Sequence, residues 1–201
     1  MKVRKIHRLM GTLLLLPLMI WSMTGLIFFL KPGYAKAYAP LAIPNLPMTA
    51  PIALPALPDA LEIKLLKTPL GPSLLVRNSE GWQHLDPTTM TPKKEPNTQD
   101  FKRLLDTAIA PDRKRYGHIT QVEGMTATTD TGVRITLSWQ TLRLRQYGKD
   151  TARIDWFYKL HYLQWTGNKA IDRAVGLAGL ILVMAMALSG LWLLFNNPKP
   201  R

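Results

Sequence analysis

Two long runs without a charged residue most constrain what this chain can fold into: Leu9 to Leu30 and Ala174 to Phe195, 22 residues each. A helix rises about 1.5 Å per residue and the hydrocarbon core of a bilayer is about 30 Å thick, so either run is long enough to cross a membrane. The first run also has the look of a secretory signal, with a basic start, an apolar core and Ala37-Tyr38-Ala39 as a cleavage-like site. Signal cores are shorter, about 7–15 residues, and Pro40 follows the supposed cut, which favours an uncut helix. Two transmembrane helices are expected, at 9–30 and 174–195.

Lys2, Arg4, Lys5 and Arg8 precede the first run, and Lys199 and Arg201 follow the second. Counted over such short flanks, positive charge marks the cytoplasmic side. Segments 1–8 and 196–201 are therefore expected in the cytoplasm of a bacterial cell, with everything between the helices on the periplasmic side of the inner membrane. The segment from Lys31 to Arg173 holds 20 of the 26 Lys and Arg and all 13 acidic residues, a net charge of +7. Its charges are scattered and form no recognition motif, which argues against nucleic acid and for membrane lipid or an anionic ligand as the partner. The absence of cysteine excludes disulfides, thiolate metal sites and thiol redox chemistry, leaving histidine, carboxylate and methionine as metal ligands.

Residues 31–58 are rich in Pro and Ala and read as an extended linker leaving the membrane. Residues 59–153 read as an α+β domain. Leu61 to Leu66 and Leu74 to Arg77 suit strands, and Asn78-Ser79-Glu80-Gly81 is a turn into Trp82 to Leu85. Phe101, Leu104, Leu105, Ala108 and Ile109 recur at helical spacing behind the possible caps Asn97 and Thr98. Val133, Ile135, Leu137 and Trp139 alternate with polar residues, and the alternation resumes in the other phase at Leu142, so a turn or bulge falls near Gln140. Helical spacing returns at Ile154, and segment 154–173 carries Trp156, Tyr158, Tyr162 and Trp165, an aromatic content suited to the membrane–water interface.

The two apolar runs share a pattern. Arg8, Gly11, Thr24, Gly25 and Leu26 correspond, at a constant offset of 165, to Arg173, Gly176, Ser189, Gly190 and Leu191. Because the helices cross in opposite directions, this is a candidate inverted repeat; chance sharing of small residues between apolar helices is the alternative. Gly11, Thr24, Gly25, Gly176, Gly179, Ser189 and Gly190 are the candidate packing positions, where small side chains let backbones approach.

His7-Arg8-Leu9-Met10-Gly11, the Thr24-Gly25 pair, Leu160-His161-Tyr162 and the closing Ser189-Gly190-Leu191-Trp192 resemble the PepSY-associated transmembrane family. The resemblance implies a PepSY-like extracytoplasmic α+β domain flanked by two transmembrane helices. Larger members with four or more spans include reductases that release iron from siderophores through haem held by membrane histidines. By this resemblance His7 and His161 are the candidate cofactor-binding residues, as haem-iron ligands. They lie at opposite ends of a bilayer-length helix and cannot share one haem, so a two-fold dimer would pair each with its own copy. Without the resemblance, His7 reads as part of the basic anchor and His161 as part of the aromatic belt.

His84 and His118 lack a second ligand at metal-site spacing and read as surface or satisfied histidines. Met10, Met19, Met23, Met184 and Met186 read as packing residues. No nucleotide-binding glycine pattern, nucleophile elbow or paired-histidine zinc motif is present, so any catalysis depends on a cofactor or partner. Three functional readings follow: haem-mediated transmembrane electron transfer in envelope redox or iron acquisition, as a homo-oligomer or accessory subunit; a non-catalytic module acting on a periplasmic peptide, protease or transporter; and a structural assembly factor for other membrane subunits.

Overall fold

The computed structural model of the chain describes residues 2–196; the tail cations Lys199 and Arg201 lie outside them. Two compact units are present, one formed by Met1–Ala35 with Ala152–Arg201 and the other by Lys36–Thr151.

The first unit is built on two helices, α1 (Lys2–Leu30) and α6 (Lys169–Phe195), both long and apolar enough to cross a membrane. They run antiparallel: a Cβ on Gly11 would sit 3.9 Å from Sδ of Met186, while His7 lies further along α6, at Ser189. The least exposed positions of α6 include Gly176, Gly179, Val183, Met186, Gly190 and Leu193, stepping by three and four. On α1, Val3, His7, Met10, Leu14, Pro17, Thr24 and Phe28 follow the same seven-residue rhythm, the spacing that keeps one seam of a helix against its neighbour. Outside the seam the helices are bare, with Leu16 66% and Leu180 64% exposed, the surface that a helix pair presents to lipid. Asn168 starts α6 by accepting hydrogen bonds from the N–H groups of Ala170 and Ile171.

The second unit holds two antiparallel meanders. The first is β1 (Glu62–Thr68), β2 (Gly71–Asn78) and β3 (Gly81–Leu85); the second is β4 (Ile119–Glu123), β5 (Thr126–Thr129), β6 (Arg134–Ser138) and β7 (Arg143–Tyr147). Between them lie α3 (Thr98–Ile109) and, after a turn of 3-10 helix, the short α4 (Arg113–Tyr116). Asn97 caps α3, its side chain accepting from the N–H of Asp100 at 2.9 Å. Phe101, Leu104, Leu105 and Ile109, all fully buried, pack with Leu75 of one sheet, with Ala127, Ile135 and Leu137 of the other, and with Val133 just before β6. The turn expected near Gln140 joins β6 to β7, with Leu142 at φ 52°.

Neighbouring side chains on a strand point to opposite faces, yet Leu74 and Leu75 are both buried. The second face of the β1–β3 sheet is covered by Leu54, Leu57 and Ala60, which pack against Leu74, Val76 and Leu85. Much of the Pro-rich segment is therefore part of the domain. Residues 50–60 contain no helix or strand, as their prolines dictate, and nearer the membrane helix α2 (Tyr34–Ala37) forms, Ala37 is fully buried, and Ala42 bridges to Arg143. Leu41 and Ile43 also pack on the main core.

An ion pair closes the second unit near its end. Arg115, 7% exposed at its side chain, reaches both oxygens of Asp150 and donates from Nε to Gln146 Oε1 at 3.0 Å. Hydrogen bonding to the guanidinium holds the Asp150 carboxyl below its usual range, and the same contact raises Arg115. Asp150 lies in the first turn of α5 (Lys149–His161), the helix that carries the chain back into the first unit.

Candidate functional site

The two candidate haem ligands occupy matching positions in the first unit. His7 on α1 lies with Nδ1 2.8 Å from Oγ of Ser189 on α6. His161, at the end of α5, lies with Nδ1 2.8 Å from Oγ1 of Thr24 on α1. Each hydroxyl belongs to the Thr-Gly or Ser-Gly pair of the repeat, so each pair receives a histidine from another helix.

The glycine beside each hydroxyl makes room for the ring. A Cβ on Gly190 would come within 3.1 Å of Cε1 of His7, and one on Gly25 within 3.8 Å of Cε1 of His161. The first contact is tighter than side chains tolerate without a shift, and the second is an ordinary van der Waals contact. A Cβ on Gly179 would meet Leu163 at 3.7 Å, whereas Gly176 faces open space. Of the seven candidate packing positions, Gly11, Thr24, Gly25, Ser189 and Gly190 are brought to contacts made by another helix, Gly179 faces the segment after α5, and Gly176 meets nothing.

Each hydroxyl also leans on its own helix. Oγ1 of Thr24 lies 2.8 Å from the carbonyl oxygen of Ile20 and 2.9 Å from that of Trp21, and Oγ of Ser189 lies 2.9 Å from that of Met186. A hydroxyl in a helix commonly donates to such a carbonyl. Each hydroxyl has one proton, so which partner donates in its contact with Nδ1 depends on the tautomer of the imidazole. Among the described residues no group hydrogen-bonds Nε2 of either ring.

Around His161 the site is aromatic. Trp21 stacks on the imidazole with ring centroids 5.3 Å apart, Phe28 meets it edge-on at 4.9 Å, and Tyr162 edge-on at 5.3 Å. Phe28 in turn stacks on Tyr158 at 4.5 Å. Trp21, Thr24, Gly25 and Phe28 share one face of α1 at spacings of three, four and seven, Tyr158 and His161 lie three apart on α5, and Tyr162 follows directly after it. The α1 spacing ties Trp21 and Phe28 to Thr24; only the packing of the helices brings His161 to the same face.

Thr24 and His7 are 17 residues apart on α1, about 25 Å at 1.5 Å per residue, so the two histidines stand at opposite ends of the helix pair. Among the described residues no three His, Cys, Asp or Glu side chains group to hold a bare metal ion. A porphyrin supplies four iron ligands itself and asks the protein for only one or two, usually imidazole nitrogen. An imidazole whose Nδ1–H is engaged and whose Nε2 is uncommitted is the form in which histidine binds metal. His7 at one end and His161 at the other are the residues that would hold such a group, each through one ring nitrogen.

The remaining histidines differ from both. His118 is exposed. His84, read from sequence as a surface or satisfied side chain, is 5% exposed and satisfied on one side only: Nδ1 donates to the carbonyl of Trp139 at 2.9 Å, and Nε2 has no partner. Burial pushes its pKa down to about 4. Of the five methionines read as packing residues, Met186 does pack at Gly11 and Met10 is half-buried, but Met19, Met23 and Met184 face outward.

A helix pair of this length and exposure, joined to a separate α+β unit of two meanders around one helix, defines a two-span membrane protein. The sequence matches the model of the family described as PepSY-associated TM region over residues 4–201, and the chain belongs to that family. Neither a curated protein nor a solved structure matches it.

Proposed function

We propose that this protein carries electrons across the bacterial inner membrane by means of haem held at His7 and His161, serving envelope redox or iron acquisition. In this reading both termini are cytoplasmic and the α+β unit is periplasmic, in keeping with the cations that precede α1. One observation carries the proposal: two imidazoles at opposite ends of the helix pair, each anchored through Nδ1 with Nε2 uncommitted. When bound, haem supplies one-electron transfer. His7 and His161 would each hold it through Nε2, and Trp21 and Phe28 pack against the His161 ring. In a two-fold dimer each histidine would meet its own counterpart, which would supply a second imidazole at each end.

The test is electron transfer by the haem-loaded chain in liposomes that enclose a ferric chelate and a ferrous-specific dye, with a membrane-impermeant reductant outside. Dye development above protein-free liposomes, lost in both His7→Ala and His161→Ala, supports the reading. Development equal to protein-free liposomes overturns it.

A second reading, a binding module, has its own observation. Arg134, Arg143 and Arg145 share the exposed face of the β4–β7 sheet, and among the described residues none forms an ion pair. An acidic periplasmic peptide complements such a face. Loss of peptide binding in Arg143→Gln/Arg145→Gln supports this second reading, and no binding by the unaltered protein rejects it.

A further inference from the structure

We propose that Thr24 and Ser189 are positioning residues that set the tautomer, and through it the ligand strength, of His161 and His7. The proposal rests on the haem reading for its consequence but on hydrogen-bond geometry for its substance.

An isolated neutral imidazole exchanges its proton between two nitrogens. Here the choice is made by a hydroxyl whose own proton is already directed to a backbone carbonyl: Ile20 or Trp21 for Thr24, Met186 for Ser189. The chain of donors then runs from imidazole Nδ1–H to hydroxyl to carbonyl, using every proton. In the opposite arrangement the hydroxyl donates to a bare Nδ1 and Nε2 keeps its proton. Nε2–H would then be a donor without an acceptor among the described residues, in a half-buried apolar helix pair. The arrangement in which each hydroxyl keeps its bond to its own helix and every proton has an acceptor is the one with the imidazole proton on Nδ1, so both rings rest as Nδ1–H with Nε2 open.

The same contact works on a bound iron. A histidine that donates its Nδ1–H to an acceptor becomes more electron-rich at Nε2, which favours the ferric over the ferrous state. Thr24 thus lowers the midpoint potential at the His161 end, and Ser189 at the His7 end. That the two ends use one device explains why a hydroxyl-glycine pair recurs in both helices at the same offset: the hydroxyl orders the ring and the glycine admits its edge.

The experiment uses the full chain in lipid bilayers with 15N-labelled histidine. In haem-free protein above neutral pH, 15N spectra are expected to show His7 and His161 protonated at Nδ1 alone. Thr24→Val, which keeps the side-chain shape and removes the hydroxyl, mixes the tautomers of His161 and leaves His7 unchanged; Ser189→Ala does the converse; Thr24→Ser restores the original spectrum. In haem-loaded protein Thr24→Val raises the midpoint potential of one centre only, and Thr24→Ser returns it. Tautomers unchanged by loss of either hydroxyl overturn the proposal whether or not haem binds. Tautomers that shift as described in a chain that takes up no haem uphold the positioning role and remove only the haem reading.

Discussion

Replacing His84 by Gln should remove a specific part of the acid sensitivity of the α+β unit. In the folded chain His84 is buried against Trp139, with ring centroids 4.3 Å apart. Desolvation, aided by the nearby charge of Lys93, lowers its pKa from 6.5 to about 4. The unfolded chain therefore takes up the proton first as pH falls. Stability is complete above pH 6.5 and is lost as pH drops toward 4, at about 1.4 kcal/mol per pH unit for one proton. Between pH 7.5 and 5 the loss is about 2 kcal/mol. This window lies above the titration of Asp86 and Asp150, whose carboxyls are held low by hydrogen bonds from Thr88 and Arg115 respectively. The assay is hydrogen exchange of the slowest amides of α3 and β6 in the detergent-solubilised chain, corrected for intrinsic exchange at each pH. The His84→Gln variant loses stability at neutral pH through altered packing, but what remains should stay level over the window. Equal losses in the original protein and His84→Gln would refute the buried-neutral assignment.

Two further outcomes test particular contacts. Gly190→Ala places a methyl 3.1 Å from the His7 ring, whereas Gly25→Ala places one at 3.8 Å from His161; thermal unfolding in detergent should fall clearly for the first, by about 1–2 kcal/mol as for an overpacked core site, and little for the second. Arg115→Ala strips Asp150 of its main partner and, with Asp150 still able to reach water, should destabilise the α+β unit by about 2 kcal/mol and raise the Asp150 pKa, measured by hydrogen exchange and by carboxyl 13C titration.

Features set by local pattern were legible in the sequence. The spacing of Phe101, Leu104, Leu105 and Ile109 behind Asn97 specifies an amphipathic helix, and α3 forms there with that cap. The phase change after Trp139 marks the β6–β7 turn because alternation can shift only where the chain turns or bulges. What escaped was long-range. The Pro-rich segment reads as a tether because proline forbids regular structure, yet the same segment supplies Leu54 and Leu57 to a sheet face that Leu74 and Val76 leave apolar. The apolar run Leu74-Leu75-Val76 was the available sign, since consecutive apolar residues on a strand ask for both of its faces to be covered. The repeat and the two histidines were each visible, but their meeting was not: His161 and Thr24 are 137 residues apart, His7 and Ser189 182. Only the packing of the helices decides which ends face each other.

The most direct test of the central claim is an absorption spectrum of the detergent-purified full chain, produced in cells supplied with haem precursor, oxidised and then reduced with dithionite. Haem-mediated transfer requires a Soret band and a sharp reduced α band, halved in amplitude by His7→Ala or His161→Ala singly and abolished by both together. A folded protein without haem absorbance, or a spectrum untouched by the double substitution, would contradict it.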